Sequence, residues 1–237
     1  MKKAVLIQAR MSSSRFPAKM MSSLGGIPLV RYVYERCLRS KEAGVTAVIT
    51  STGKTDDALY EYCCGEGMEV FRGSLGNVLD RYATAARHYG ADIVCRVCGD
   101  SPFVDTMLID TMFRMSVSEA IDYVAPGSNT CIAGLDSEII RYDALVTALK
   151  YAAEKDELEH VTPFIRKNTD KFKIKLIDVN LRPDALSALT LTVDYPGDLV
   201  VCNRISDMLS DKGYDFTSQD ILDIVYNNKE ILRINRC

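Results

Sequence analysis

No apolar run in this chain approaches the roughly 20 residues that a membrane-spanning helix needs. Met1-Lys2-Lys3 opens onto an apolar segment too short for a secretory signal, so the cytoplasm is the expected compartment and no membrane insertion is expected. There is no internal repeat and no low-complexity linker, and 237 residues suffice for one α/β domain with a full core over 1–237. Excess positive charge is missing too: a net charge of −3 argues against nucleic acid as the main partner, and any polyanion site must be a local cluster. The eight cysteines lack the pattern of a disulfide framework, being scattered through apolar segments of a long chain. Cys95-Arg-Val-Cys98 has redox or zinc spacing, but it has no second pair. It also lies in a strand-like run, where residues three apart face opposite sides. Reduced, chemically idle thiols are therefore expected.

What the chain does have begins almost at once. The apolar run Ala4-Val5-Leu6-Ile7 stops at Gln8-Ala-Arg-Met-Ser-Ser-Ser-Arg-Phe-Pro-Ala-Lys19. A short aliphatic strand that breaks into a small-residue polar loop and resumes as a helical pattern is how a doubly wound α/β domain opens, and ligands bind outside the carboxyl ends of such strands. Arg10, Arg15 and Lys19, with the hydroxyls of Ser12, Ser13 and Ser14, suit the phosphates of a nucleoside triphosphate. Guanidinium forks and an ammonium neutralise the oxygens while hydroxyls and backbone amides donate to them.

Strands expected at Val45–Ile49, Met68–Phe71 and Ile93–Val97 alternate with helices at 27–39, 55–62 and 75–89, which predicts an α/β fold with a mainly parallel core. Beyond this the rhythm loosens. Helices are expected at 107–115, 142–153, 199–210 and 217–227, and strands at 121–125, 135–140, 172–179 and 189–193. The stretch of about 126–188 reads as an insertion lidding the sheet.

Asp100 follows the strand ending at Val97, and Asp194 follows the one expected at Leu189–Val193. Both belong on the edge that carries the basic loop, and two carboxylates facing a triphosphate suit Mg²⁺, which completes its shell with phosphate oxygens and water. Asp105 and Asp198, each at the opening of a helical pattern, read as helix caps.

Gln8-Ala-Arg10-Met-Ser-Ser-Ser-Arg15-Phe-Pro17-Ala-Lys19, Phe71-Arg-Gly73-Ser, Val78-Leu-Asp80-Arg81-Tyr82, Gly99-Asp100-Ser-Pro102, Gly134-Leu-Asp136, Glu159-His160-Val-Thr-Pro163 and Leu191-Thr-Val-Asp194-Tyr-Pro196 occur in this order. In this combination the chain resembles the spore coat polysaccharide biosynthesis protein F branch of the acylneuraminate and 3-deoxy-manno-octulosonate cytidylyltransferases. Ser12, Ser14 and Ala18 stand where such proteins commonly have Gly, Thr and Gly. The resemblance implies a GT-A-like nucleotide-diphospho-sugar transferase fold, with a Rossmann-like, mainly parallel twisted sheet. It also implies a reaction in which CTP and an anionic sugar give a CMP-sugar and pyrophosphate, for surface polysaccharide biosynthesis.

By family position Gln8, Ala9 and Arg81 help read base and ribose, with Asp80 ordering Arg81 through an ion pair. Arg10, Ser13, Arg15 and Lys19 hold phosphates, Asp100 and Asp194 hold Mg²⁺, and Asp136 and His160 meet the acceptor. Family analogy suggests a homodimer, with its interface in the 126–188 stretch. Three alternatives remain open. A glycosyltransferase of the same fold would show Asp-x-Asp, for which Asp136-Ser-Glu138 is the nearest match. A nucleotidylyltransferase for another triphosphate would favour Gly-x-Gly in place of Gln8-Ala9-Arg10. A non-catalytic nucleotide sensor would need the loop without both aspartates.

Overall fold

The computed structural model describes residues 1–127, 129–181, 186 and 189–231. Among these residues nine strands carry the architecture: β1 (Lys3–Gln8), β2 (Ser23–Leu24), β3 (Ile27–Pro28), β4 (Val45–Ser51), β5 (Val70–Gly73), β6 (Ile93–Cys98), β7 (Tyr123–Pro126), β8 (Glu138–Arg141) and β9 (Ile174–Ile177). Nine helices accompany them among the described residues: α1 (Leu29–Cys37), α2 (Asp57–Gly65), α3 (Val78–Tyr89), α4 (Thr106–Ser118), α5 (Tyr142–Tyr151), α6 (Lys155–His160), α7 (Pro163–Lys167), α8 (Pro196–Met208) and α9 (Ser218–Asn227).

Seven strands form one sheet in the order β5-β4-β1-β6-β8-β7-β9, and β2 pairs with β3 in a small hairpin. β1 lies parallel to both β4 and β6, so it is covered on both faces and reads as an unbroken apolar run. Alternation then divides its side chains. Val5 and Ile7 join a core with Leu29, Val30 and Val33 of α1 and with α2, α4, α8 and α9. Ala4 and Leu6 face the opposite way, onto Leu79, Tyr82 and Ala86 of α3 and Leu145 of α5. Helices on both faces of a mostly parallel sheet agree with the expected fold class.

Helix ends follow local chemistry. Asn77 caps α3 by accepting from the Asp80 amide at 2.8 Å, and Gly90 closes it at φ 61°. Asp105 caps α4 through the Leu108 amide at 3.0 Å, as expected.

Two expectations change. Leu189–Val193 is not a strand of the sheet. The place beside β6 is taken by β8, antiparallel to it, and residues 189–193 instead cross the carboxyl ends of the strands. Leu191 N donates to Ala133 O at 2.8 Å and Val193 N to Asp100 O at 2.8 Å. Gly134 permits this crossing, because a Cβ there would lie 2.5 Å from the Leu191 carbonyl carbon and its φ is +98°. The stretch expected to lid the sheet also supplies strands to it: β8 sits between β6 and β7, and β9 forms an edge. Ile139 and Ile140 of β8 are both fully buried, one on each face, which is why the segment is drawn into the sheet. Ser128, residues 182–185 and residues 187–188 of that stretch lie outside the described residues.

Candidate active site

The strand order reverses at β1, with β4 on one side and β6, reached later in the chain, on the other, so the carboxyl ends of β1 and β6 meet at the switch point where sheets of this kind bind ligands. Gly99 lets these loops approach closely. Its amide donates to Gln8 O at 2.9 Å, and a Cβ at Gly99 would lie 2.9 Å from that same oxygen. The loop after β1 is anchored from beneath by Asp56, which is fully buried and accepts from the Met11 amide at 2.7 Å and from the Ser51 hydroxyl. It then turns through Ala18, held at φ 56°, into a short 3₁₀ turn at Lys19–Met21. A non-glycine residue in this left-handed region costs about 1 kcal/mol. Here it directs Lys19 inward.

Lys19 is the centre of the site. Its ammonium, 7% exposed with its residue, donates to Asp100 Oδ2 at 2.7 Å, to Val193 O at 2.8 Å and to Asp194 Oδ1 at 3.3 Å. Arg15 Nη2 donates to Asp194 Oδ1 at 2.6 Å, and its guanidinium lies 5.3 Å from the Tyr195 ring centre. Tyr195 first, and then Asp194, raise the Arg15 pKa. Asp198, expected as a cap, fixes the backbone that presents Asp194, accepting from the amides of Asp194 and Tyr195 at 2.9 and 2.8 Å. The two aspartates, 94 residues apart in sequence, thus converge on one cation.

Around them lies a cavity of about 410 Å³, lined by Gln8, Ala9, Arg10, Ser13, Arg15, Lys19, Arg81, Asp100 and Asp194 among others. The Gln8 side-chain oxygen is buried without a partner among the described residues. Asp80 is outside this lining, and it does not order Arg81. Arg81 instead donates through Nε and Nη2 to Ser74 O at 2.9 and 2.7 Å, because neighbours on a helix point in different directions. Burial lowers the Arg81 pKa.

A second cavity of about 600 Å³ adjoins the first and is lined by Asp136, Glu138, His160, Thr162 and Arg166 among others. Asp136, exposed, accepts from the Gly134 amide at 2.9 Å. His160 ends α6 and borders both cavities, and the chain reverses immediately after it. Val161 has φ 71° and ψ −52°, and Thr162 N donates to His160 O at 2.8 Å, a γ-turn with a buried β-branched centre.

Among the described residues no three His, Cys, Asp or Glu side chains gather as a ready metal cage. The pair Asp100 and Asp194 nevertheless fits Mg²⁺, which takes one or two carboxylates and fills its shell from substrate phosphates and water. Both already draw a cation to the point between them. Cys98 lines the first cavity and Cys131 the second. Cys95 packs into one core face, and burial pushes the Cys98 thiol up to about 11. Sequence reasoning missed Asp56, Arg96 and the pairing of Glu159 with Arg10. For Arg96 the signal was present as a charged residue inside an otherwise apolar strand.

A family model described as cytidylyltransferase matches residues 4–198. An uncharacterised protein of Methanocaldococcus jannaschii is 34% identical over 97% of this chain and 93% of its own length. The spore coat polysaccharide biosynthesis protein SpsF of Bacillus subtilis is 31% identical over 81% of each chain. Among solved structures, a cytidylyltransferase from Leptospira borgpetersenii superposes with a TM-score of 0.87 at 28% identity, covering 98% of this chain and 96% of that one. A CMP:2-keto-3-deoxy-manno-octonic acid synthetase complexed with CTP shares the fold, with a TM-score of 0.64 at 16% identity over 90% of this chain and 100% of its own.

Proposed function

Because the chain belongs to the cytidylyltransferase family, we propose that it activates an anionic sugar of the ulosonic or nonulosonic acid type, joining it to CMP from CTP with release of pyrophosphate. The observation that carries this reading is the convergence of Arg15, Lys19, Asp100 and Asp194 in one cavity at the carboxyl ends of β1 and β6. Cations alone would suit any phosphate, and aspartates alone any helix start. Together they suit a metal-bound triphosphate.

In the proposed reaction an acceptor oxygen attacks the α-phosphorus in line and pyrophosphate departs. Little covalent work falls to the protein, so positioning and charge neutralisation dominate. Arg10 and Arg15, with side chains 48% and 53% exposed, can turn onto the β- and γ-phosphates. Lys19, tightly held, stabilises charge nearer the reacting centre, and Ser13 and the loop amides donate to phosphate oxygens. Asp100 and Asp194 would hold Mg²⁺, which when bound neutralises phosphate charge and polarises the bond to the leaving group. Gln8, Ala9 and Arg81 border the end of the cavity assigned to base and ribose. Asp136 and His160 border the second cavity, which takes the acceptor. A homodimer remains part of this reading, with the β9 edge and its half-exposed Leu176 as the interface to test.

The decisive experiment incubates the protein with each of the four nucleoside triphosphates, with and without Mg²⁺, and with a panel of acidic sugars. Pyrophosphate release and the mass of the product are measured. CTP-specific, Mg²⁺-dependent formation of a CMP-sugar is expected, and equal turnover of the other triphosphates would remove the cytidine assignment.

A further inference from the structure

Arg96 occupies the middle of β6, opposite Leu6 of β1 and Glu138 of β8. Val94 and Tyr82, neighbours on the same face of the sheet, are fully buried, so a permanent charge has been placed where apolar side chains would be the stable choice. Glu138 offsets part of that cost. Its Oε2 accepts from Arg96 Nη1 at 2.7 Å, while its Oε1 accepts from the Tyr123 hydroxyl and from Thr162 Oγ1 at 3.0 Å. Thr162 is the residue fixed by the γ-turn at Val161. The guanidinium is therefore aimed by a carboxylate that is itself aimed by two hydroxyls. Its donors are still not consumed: among the described residues Nη1 alone is bonded, which leaves Nη2 for a ligand, whereas Nε is buried without a partner and out of a ligand's reach. Burial opposes the charge, but Cys98 and then Glu138 offset it and raise the Arg96 pKa above its ordinary value.

Position gives the use. Among the described residues only Arg96 and His160 line both cavities, and of these Arg96 is the buried one, its side chain 14% exposed against 62% for His160. In-line transfer requires the acceptor oxygen to reach the α-phosphorus at this junction. We propose that Arg96, aligned by Glu138, selects the acceptor by binding a carboxylate carried on the carbon next to the oxygen that attacks. The proposal rests on the function given above and names the substrate feature that the site reads.

The surrounding charge favours a single carboxylate over a phosphate ester. Arg96 and Arg166 face Asp136, Glu138 and Asp156 in the acceptor cavity, so a group with two negative charges would meet more repulsion than the cations offset. A carboxylate geminal to the attacking hydroxyl, as in the cyclic form of a 2-keto acid, matches both the place and the charge.

The test compares 3-deoxy-manno-octulosonate and N-acetylneuraminate with their counterparts reduced from carboxylate to alcohol at C1. Binding is measured by calorimetry on the full chain without nucleotide, and turnover by pyrophosphate release from CTP. Wild type should prefer at least one acid over its alcohol by about 100-fold, the scale of a charge-assisted pair. Arg96→Gln alone would strand Glu138 in the interior, so the main variant is Arg96→Gln/Glu138→Gln, with Glu138→Gln as the folding control. In the double variant the preference should fall below about 3-fold, with the KM for CTP within about 2-fold of wild type. Arg96→Lys keeps the charge without the fork and should restore part of the preference, about 10-fold, and it decides the matter if the double variant does not fold. Equal binding of acid and alcohol by wild type, or no binding of either acid, overturns the proposal. So does a rise in the KM for CTP with acid preference unchanged, which would assign Arg96 to the nucleotide. Failure of CTP turnover with acid preference intact would instead count against the cytidylyltransfer reading alone.

Discussion

Arg10 Nη1 lies 3.1 Å from Glu159 Oε1, tying the loop after β1 to the last turn of α6 across the nucleotide cavity. Both side chains are partly exposed, at 48% and 32%, so the pair is weak and screened by salt, about 1 kcal/mol or less. It nevertheless occupies a cation assigned to the triphosphate. Glu159→Gln should raise CTP affinity by about 2- to 5-fold at low ionic strength, with the gain shrinking as salt is added. Calorimetric titration of CTP at two salt concentrations checks this, and unchanged affinity at both would mean that Arg10 leaves Glu159 at no cost.

Asp100→Asn and Asp194→Asn should each lower Mg²⁺-dependent turnover by at least about 100-fold while the far-ultraviolet circular dichroism stays that of wild type. One carboxylate fewer weakens a metal that the protein holds without a full cage. A chelator should abolish wild-type turnover reversibly. Turnover near wild type in both variants would remove the metal assignment.

Arg10→Ala and Lys19→Ala should weaken CTP binding and slow the chemical step together, since these cations meet charge that grows on the departing pyrophosphate. Lys19→Ala should be the more damaging, because Lys19 is buried among three acceptors and Arg10 is half exposed. Steady-state kinetics with CTP varied separate the two effects. A change confined to the KM would show that the loop only captures substrate.

Asp56→Ala should cost about 2 to 4 kcal/mol, because it strands the Met11 amide and the Ser51 hydroxyl beneath the loop. Asp56→Asn should recover part of the loss. Urea unfolding reads the stability, and an unchanged midpoint for the alanine variant would deny the anchor.

Cys95→Ala/Cys98→Ala should cost about 1 to 2 kcal/mol of packing and leave pyrophosphate release intact. Burial pushes the Cys37 and Cys63 thiols up to about 12, and Cys95 and Cys202 also upward, so thiolate is scarce at pH 8. Cys64 is the exposed thiol among the described residues, and iodoacetamide should label it first, as peptide mapping would show. Loss of activity in a folded double variant, or stoichiometric zinc in purified protein, would make these thiols part of the chemistry.

The sequence by itself determined the class of fold and half of the site. Aliphatic runs of strand length alternating with helical periodicity leave a doubly wound sheet as the solution that buries both, and a basic, hydroxyl-rich loop after β1 has to lie at its carboxyl edge. Asp100 followed from the same rule. Asp194 reached its place by a route that periodicity could not show. Leu189–Val193 alternates as a strand would, but the edge of β6 is occupied by β8, and backbone bonds to Ala133 and Asp100 carry the segment across the strand ends instead. Tertiary structure also decided every pairing between distant charges. Arg81 turned to the Ser74 carbonyl and not to adjacent Asp80, Glu159 met Arg10, and Glu138 met Arg96. Local sequence limits which way a side chain can point along its own element. Which charge it finds there depends on how the elements pack, because an ion pair spans a few ångströms of space and no fixed distance along the chain.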